Sequence, residues 1–363
     1  PSDGSERAVG NILMAILEVP VTGLIETFEL SPRTIIIDSS QTKKISVTAT
    51  DHWGYPITVA ASELTWQVVG INGHVDENGF FVPEESGEGI IIGTVNNISD
   101  TISVTVLTEQ IPVWSFGSSA GNLPSWFSTT ASTERGFAYG FVNNNHRIYL
   151  VSRPTVYILD ASTGDQVSTL STTAVSGGTY PINDIEVSDD GYIFGGNLTV
   201  NSSTTPFKIY KWNNESSEAE VVITFNGSTG RLGDKITVVG SVENNTAEIY
   251  AAVNSSNVIC KWVMNNGTFN QTPTTITLSG VTNYGTSPAV YPRGLGNSNI
   301  FVNGNSLRPT EFTSTGTQVA AAPTSVVDSR SNAMRYIESG DQKYLIVFQY
   351  GASNENAKIL DIS

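Results

Sequence analysis

The stretch "FKIYKWNNES" begins at Phe207 and "VICKWVMNNG" begins at Val258. Each is a β-prone run carrying Lys-Trp and followed by asparagines, and Trp212 and Trp262 stand 50 residues apart. A word that recurs at such a spacing marks a repeat architecture, in which one small unit buries its apolar faces against its neighbours. The pair belongs to a longer series. "YILDASTGDQV" (157–167) and "KILDIS" (358–363) share Ile-Leu-Asp, with Asp160 and Asp361 separated by 201 residues. "FTSTGTQV" (312–319) echoes "DASTGDQV" at an interval of 152 residues. These intervals are four and three steps of about 50, so one strand type recurs near residues 159, 211, 261, 312 and 360.

A second strand precedes each of them, in "RIYLVS", "YIFGGN", "EIYAAV", "NIFVNG" and "YLIVFQY", and a third lies further upstream, in "RGFAYGF", "INDIEVS", "KITVVGS", "PAVYPRG" and "AMRYIES". Fourth strands follow in the first four copies, as "QVSTL", "EVVITF", "TTITLS" and "TQVAAA". The last copy stops at Ser363 without one, and "IPVWSFG" (111–117) stands where a borrowed strand is needed. Four-stranded units repeated radially make a β-propeller, and exchange of a strand between its ends removes the open edge. Residues 109–363 are therefore read as a five-bladed β-propeller closed by an N-terminal strand. A linear β-solenoid is the rival, but it favours shorter repeats and needs atypical caps.

Residues 27–108 differ in texture. Short alternating runs such as "TFELS", "KKISVTAT", "LTWQVV", "GIIIGTV" and "TISVTVL", with turns about every ten residues, predict a β-sandwich with Trp66 as a core anchor. The fold class expected is thus all-β, an Ig-like sandwich followed by the propeller. The order "TATDHWG", "LTWQVV", "VDENGFF", "GEGIIIGTV", "TISVTVL" also resembles bacterial Ig-like surface domains. "GNLPSWF", "TERGFAYG", "YILDASTGD", "GGTYPINDIEVSDDGYIFGGNLT" and "GDKITVVGS" resemble an uncharacterised, propeller-like family of secreted or surface proteins, catalogued as a domain of unknown function. This resemblance implies an extracellular or cell-surface setting and transfers no catalytic residue.

Composition narrows the function. The 34 acidic and 18 basic residues give a formal charge of −16, which repels phosphate backbones, so no nucleic-acid partner is expected. Solubility accounts for that charge; calcium in the acidic turns "VSDDGY" or "VDENGF" is the alternative, though neither has EF-hand spacing. Cys260 is the single cysteine and is read as a buried, inert thiol. His52, His74 and His146 show no ligand spacing, so neither metal nor cofactor is expected. No apolar run reaches about 18 residues, so no transmembrane helix is expected. The start at Pro1 rather than methionine is read as processing or trimming.

Among the predicted first strands, the ionisable residues are Arg135, Asp184, Glu186, Lys235, Arg293 and Arg335, with Glu338 nearby. Glycosidases need two carboxyls about 5–9 Å apart. Asp184 is the best acid, but cations surround it, which points to an ion pair. No catalytic residue is assigned. Trp53, Tyr55, Trp126 and Phe127 are candidate glycan platforms, with "LPSWF" alternatively plugging the propeller. Sequons occur at Asn97, Asn197, Asn201, Asn214, Asn226, Asn244, Asn254, Asn266 and Asn270, in predicted turns that permit glycosylation.

The most apolar stretch is "AVGNILMAILEVPVTG" (8–23), outside both domains. It adds a strand to its own sandwich, forms a short helix ended by Pro20, or is donated to a neighbouring subunit through Ile12, Leu13, Met14, Ile16, Leu17, Val19 and Val21. Donation is head-to-tail and builds a filament. The function expected is a non-enzymatic structural or adhesive surface protein, a filament subunit through self-association. A carbohydrate-binding or glycosidase-like propeller with extracellular glycans as partners is the alternative.

Overall fold

The computed structural model describes residues 24–107, 113–117, 121–128, 130–227, 230–327, 331–339, 342–349 and 356–362. The expected donor residues Ile12 to Val21 lie outside the described residues. The chain divides into two compact units, Pro1–Pro112 and Val113–Ser363.

The first unit is built from β1 (Thr27–Ser31), β2 (Thr34–Asp38), β3 (Lys43–Lys44), β4 (Ser46–Thr50), β5 (Thr65–Val69), β6 (Gly73–Val75), β7 (Phe80–Pro83), β8 (Gly87–Val95) and β9 (Ile98–Leu107). They form sheets β1-β4, β2-β9-β8-β5 and β3-β7-β6, with β2 parallel to β9. Period-two alternation explains the buried face: Phe28 and Leu30 of β1 and Ile35 and Ile37 of β2 point into one core with Phe81, Ile91 and Ile102. The β8–β9 hairpin turns on Asn96 and Asn97, both at positive φ, as a two-residue turn between right-twisted strands requires. Trp66 packs on this core half-buried, against Gly93, where an added Cβ would lie 2.8 Å from its ring. The expected anchor therefore sits at the core's rim.

The second unit carries β10 (Glu134–Val142), β11 (Asn145–Ser152), β12 (Thr155–Asp160), β13 (Gln166–Thr169), β14 (Tyr180–Val187), β15 (Ile193–Leu198), β16 (Phe207–Trp212) and β17 (Glu220–Phe225). It continues with β18 (Thr237–Val239), β19 (Glu248–Ala252), β20 (Val258–Asn265), β21 (Thr268–Phe269), β22 (Thr274–Thr277), β23 (Ala289–Pro292), β24 (Ile300–Gly304), β25 (Leu307–Phe312) and β26 (Gln318–Ala321). The last strands are β27 (Ser331–Ser339), β28 (Gln342–Gln349) and β29 (Asn356–Asp361). They form successive antiparallel sheets: β10-β11-β12-β13, β14-β15-β16-β17, β18-β19-β20 with β22 and β21 both on β20, β23-β24-β25-β26, and β27-β28-β29. The third strands are β12, β16, β20, β25 and β29, and the two Lys-Trp words lie in β16 and β20.

Each sheet packs on the next through a separate apolar core. Val151, Ile158, Ile185 and Trp212 join the first to the second. Phe207, Ile249 and Trp262 join the second to the third. Tyr250, Val302 and Phe312 join the third to the fourth, and Phe301, Leu345 and Val347 the fourth to the fifth.

The borrowed strand is not seen. The described part of "IPVWSFG", residues 113–117, is in no strand, and the last sheet has three strands among the described residues. Instead the Trp114 indole N–H donates to Ala161 O at 2.8 Å, and its ring packs on Gly164 at the β12–β13 turn. The indole's need for a hydrogen-bond acceptor and a glycine-lined seat directs Trp114 to the first sheet rather than the fifth. The remaining face of the first sheet exposes Phe137, Tyr139 and Phe141, and that of the fifth exposes Phe348 and Ile359.

Candidate functional site

A cavity of about 300 Å³ opens among β10, β14, the start of β18, β23, β27 and the inner parts of β28 and β29. Its lining includes Phe137 and Tyr139 together with Asp184, Glu186, Lys235 and Arg335. Alternation on β14 places Asp184 and Glu186 on one face, roughly 7 Å apart along the strand.

Asp184 is 2% exposed. One carboxylate oxygen accepts the Ile236 N–H at 2.7 Å, and the other accepts from Lys235 Nζ at 3.2 Å. Lys235 also donates to the Arg135 carbonyl at 3.2 Å. Gly136 is required here, because a Cβ would lie 2.5 Å from the Asp184 Cα. Glu186 Oε2 lies 3.3 Å from Arg335 Nη1, an ion pair that ties β14 of the second sheet to β27 of the fifth. Burial raises the Asp184 carboxyl despite Lys235 and the Ile236 N–H. Burial likewise lifts Glu186 to about 7, Arg335 pulling it down and Asp184 pushing it up. The Arg335 guanidinium sits 5.6 Å from the Tyr291 ring, whose phenol burial raises to about 12.

The structure thus brings Asp184, Glu186, Lys235 and Arg335 together. Arg293 leaves this group to pair with Glu311 at 3.0 Å, and Glu338 accepts from the Tyr336 hydroxyl. Each carboxyl is thus paired with a cation, Asp184 with Lys235 and Glu186 with Arg335. The aromatic lining was not foreseen, since "RGFAYGF" reads equally as a core-facing run. Tyr139 bonds His146 Nδ1 at 2.5 Å and stacks on it, and Phe141 tilts against the same imidazole, extending the aromatic face along β10.

The sequence-derived glycan platforms are scattered. Trp126 stacks on Tyr157 at 4.0 Å, donates to Gln166 Oε1 at 2.9 Å and touches Phe127, so it serves packing on the first sheet. Trp53 and Tyr55 are exposed in the first unit, on a turn whose N–H groups bond Asp51 Oδ1. Of the sequons, Asn97, Asn226, Asn244, Asn266 and Asn270 are exposed; Asn201, Asn214 and Asn254 are half-buried. Asn197 is the exception: fully buried, its amide donates to Pro206 O and accepts from the Lys208 N–H, so the folded chain presents no acceptor there. Asp190 of "VSDDGY" is bonded by Ser188, Ser241 and the Glu243 N–H, and Asp76 of "VDENGF" by the N–H groups of Asn78 and Phe80. Among the described residues no cluster of three metal-ligating side chains occurs, and no helix is long and apolar enough to cross a membrane. Cys260 is buried, its thiol pushed up to about 12.

These features define an all-β, propeller-like protein with a partly aromatic, partly ionic cavity. The chain belongs to the DUF4623 family, a domain of unknown function, matched over residues 113–362. Among solved structures it is similar to a DUF4623 family protein from Bacteroides eggerthii, at 18% identity over 91% of this chain and 76% of that one, with a TM-score of 0.53. An Aleuria aurantia lectin matches at 11% identity over 92% of this chain and 94% of that one, TM-score 0.43. A Penicillium chrysogenum alpha-L-arabinanase matches at 11% over 63% of this chain and 93% of that one, TM-score 0.30. Such identities speak to the fold alone, and the last two likenesses carry no functional argument. No curated protein matches the chain.

Proposed function

We propose that this chain is a non-enzymatic protein of the cell exterior whose second unit binds carbohydrate in the cavity lined by Phe137, Tyr139, Asp184, Glu186, Lys235 and Arg335. In this reading the five sheets are the blades of a five-bladed propeller, and the first unit is an Ig-like sandwich. The parallel β2–β9 pairing beside the β1–β4 pair supports the latter. One observation carries the functional reading: the exposed aromatic side chains Phe137 and Tyr139 and the charged, hydrogen-bonding groups of Asp184, Glu186, Lys235 and Arg335 line one cavity. A pyranose offers that combination, an apolar C–H face and a polar rim. The pairing of each carboxyl with a cation, Asp184 with Lys235 and Glu186 with Arg335, supports a structural rather than a catalytic role for them.

The test is calorimetric titration of the full chain with neutral hexasaccharides of glucose, xylose and mannose. Tyr139→Ala and Phe137→Ala are expected to weaken binding by about tenfold or more, about 1.4 kcal/mol. Unchanged affinity in both variants, or no binding of these or of acidic saccharides at millimolar concentration, would overturn the reading.

A second reading, self-association into a filament, is favoured by the apolar side chains left exposed on the first and fifth sheets, Phe141 and Val167 on one and Phe348 and Ile359 on the other. Such faces suit an added apolar strand, and Ile12, Leu13, Met14, Ile16, Leu17, Val19 and Val21 supply one in sequence.

A further inference from the structure

Acidic side chains outnumber basic ones 34 to 18, so an arginine here has carboxylates in excess to choose from. Five of the eight arginines among the described residues take one. Arg33 pairs with Glu29 and Asp100, Arg147 with Asp160 and Glu215, Arg231 with Asp234, Arg293 with Glu311 and Arg335 with Glu186. Arg135, Arg153 and Arg308 pair with none among the described residues, and the first two converge on one ring. The Cζ of Arg153 lies 3.5 Å from the Tyr180 ring centroid, and that of Arg135 lies 5.6 Å from it.

Two like charges gathered on one tyrosine repel each other, and the ring answers only the faces of the guanidinium groups. Their in-plane N–H groups are the donors that a carboxylate or sulfate takes in pairs. Arg135 spends Nε on Asn183 Oδ1 at 2.9 Å, and Arg153 spends Nη2 on the Ser132 carbonyl. The buried Nε of Arg153 has no hydrogen-bond partner. Glu134, next to Arg135 in the chain, turns away. Burial pushes its carboxyl up, but the Ser128 N–H and the Ser152 and Thr133 hydroxyls outweigh this and hold it below the usual range.

We propose that Arg135 and Arg153, gathered on Tyr180, form an oxyanion subsite at the edge of the cavity, so that the carbohydrate bound there is an acidic one. This rests on the carbohydrate reading and names its ligand class: a polysaccharide bearing carboxylate or sulfate groups. Neither arginine lines the cavity itself; Arg135 stands two residues before Phe137 on β10, and Lys235, which does line it, bonds the Arg135 carbonyl. Each guanidinium keeps N–H groups free of partners among the described residues, with which to take an oxyanion. With the chain at −16 overall, long-range charge opposes such a ligand, so its affinity must come from these short contacts.

The experiment titrates the full chain with chondroitin sulfate, polygalacturonate and the neutral hexasaccharides. At least one acidic polymer is expected to bind more than tenfold tighter than any neutral saccharide. Arg135→Gln and Arg153→Gln should each remove about tenfold or more of that preference and leave neutral binding in place. Arg153→Lys, which keeps the charge and loses the fork, should fall between. Should a glutamine variant lose its thermal midpoint, competition by inorganic sulfate against the acidic polymer on the unaltered chain reads the same subsite. Chondroitin sulfate ahead of polygalacturonate assigns the subsite to sulfate; the reverse assigns it to carboxylate. Equal binding of acidic and neutral saccharides, with dependence on Tyr139 retained, overturns the subsite and leaves the carbohydrate reading standing. No binding of either kind overturns both.

Discussion

Glu186 shows how burial governs a single residue in this cavity. Its carboxyl, 4.5 in the open chain, rises to about 7 in the fold because burial outweighs the attraction of Arg335. Between about pH 4.5 and pH 7 the folded chain therefore keeps a proton that the unfolded chain releases. The folded state binds more protons over this window, so Glu186's contribution to stability falls as pH rises through it and levels off above. Glu186→Gln abolishes the titration while leaving Arg335 without its partner at every pH. The stability of the wild type relative to this variant should decline from pH 5 to pH 7.5 by on the order of 1–3 kcal/mol, read from denaturant unfolding across the range. A flat difference would mean that Glu186 ionises as an ordinary glutamate. The acid itself was legible from "INDIEV" as a polar residue at an inward strand position. Its partner was not, since Arg335 lies 149 residues away and only folding brings them together.

At the scale of elements, the repeated Lys-Trp words build equivalent third strands with unequal bonding. Trp212 is buried in the core between the first and second sheets and donates its indole N–H to the Ser171 carbonyl at 2.8 Å. Trp262 is buried between the second and third sheets, and its indole nitrogen has no partner. Tryptophan to phenylalanine opens a comparable cavity at both sites, but at Trp212 it also strands a carbonyl, whereas at Trp262 it removes an unsatisfied donor. Trp212→Phe should therefore cost about 1–2 kcal/mol more than Trp262→Phe in equilibrium unfolding. Equal costs would show that the Ser171 bond contributes nothing net. The turns follow from sequence more directly. Asn143–Asn144 and Asn266–Gly267 occupy positive φ in two-residue hairpins, a conformation that few other residue types adopt without strain.

Among the described residues of the second unit, four buried cores join five sheets, and the two terminal faces keep aromatic and aliphatic side chains exposed. These faces are where an added strand would be buried, which gives the filament reading its test. Negative-stain microscopy of the full chain beside a variant lacking residues 1–23 should show filaments in the first and single particles in the second. Single particles in both would leave those faces to ligand or to each other and end the self-association reading.

The sequence by itself determined the strand periodicity, the order of the repeated units, the turn positions and the low density of charge, because each rests on local patterns read within a few residues. It also placed Asp184, Glu186 and Arg335 on first strands, whereas Lys235, expected on the third of them, precedes β18 by two residues. The tertiary structure alone decided which of these meet, that Arg293 departs to Glu311, that Asn197 is sealed inside, and that Trp114 seats on Gly164 instead of completing the last sheet. It alone gathered Arg135 and Arg153 on Tyr180. The physical reason is one of range. Hydrophobic periodicity is written locally, whereas the pairing of charges and hydrogen-bonding groups depends on the packing of sheets tens to hundreds of residues apart.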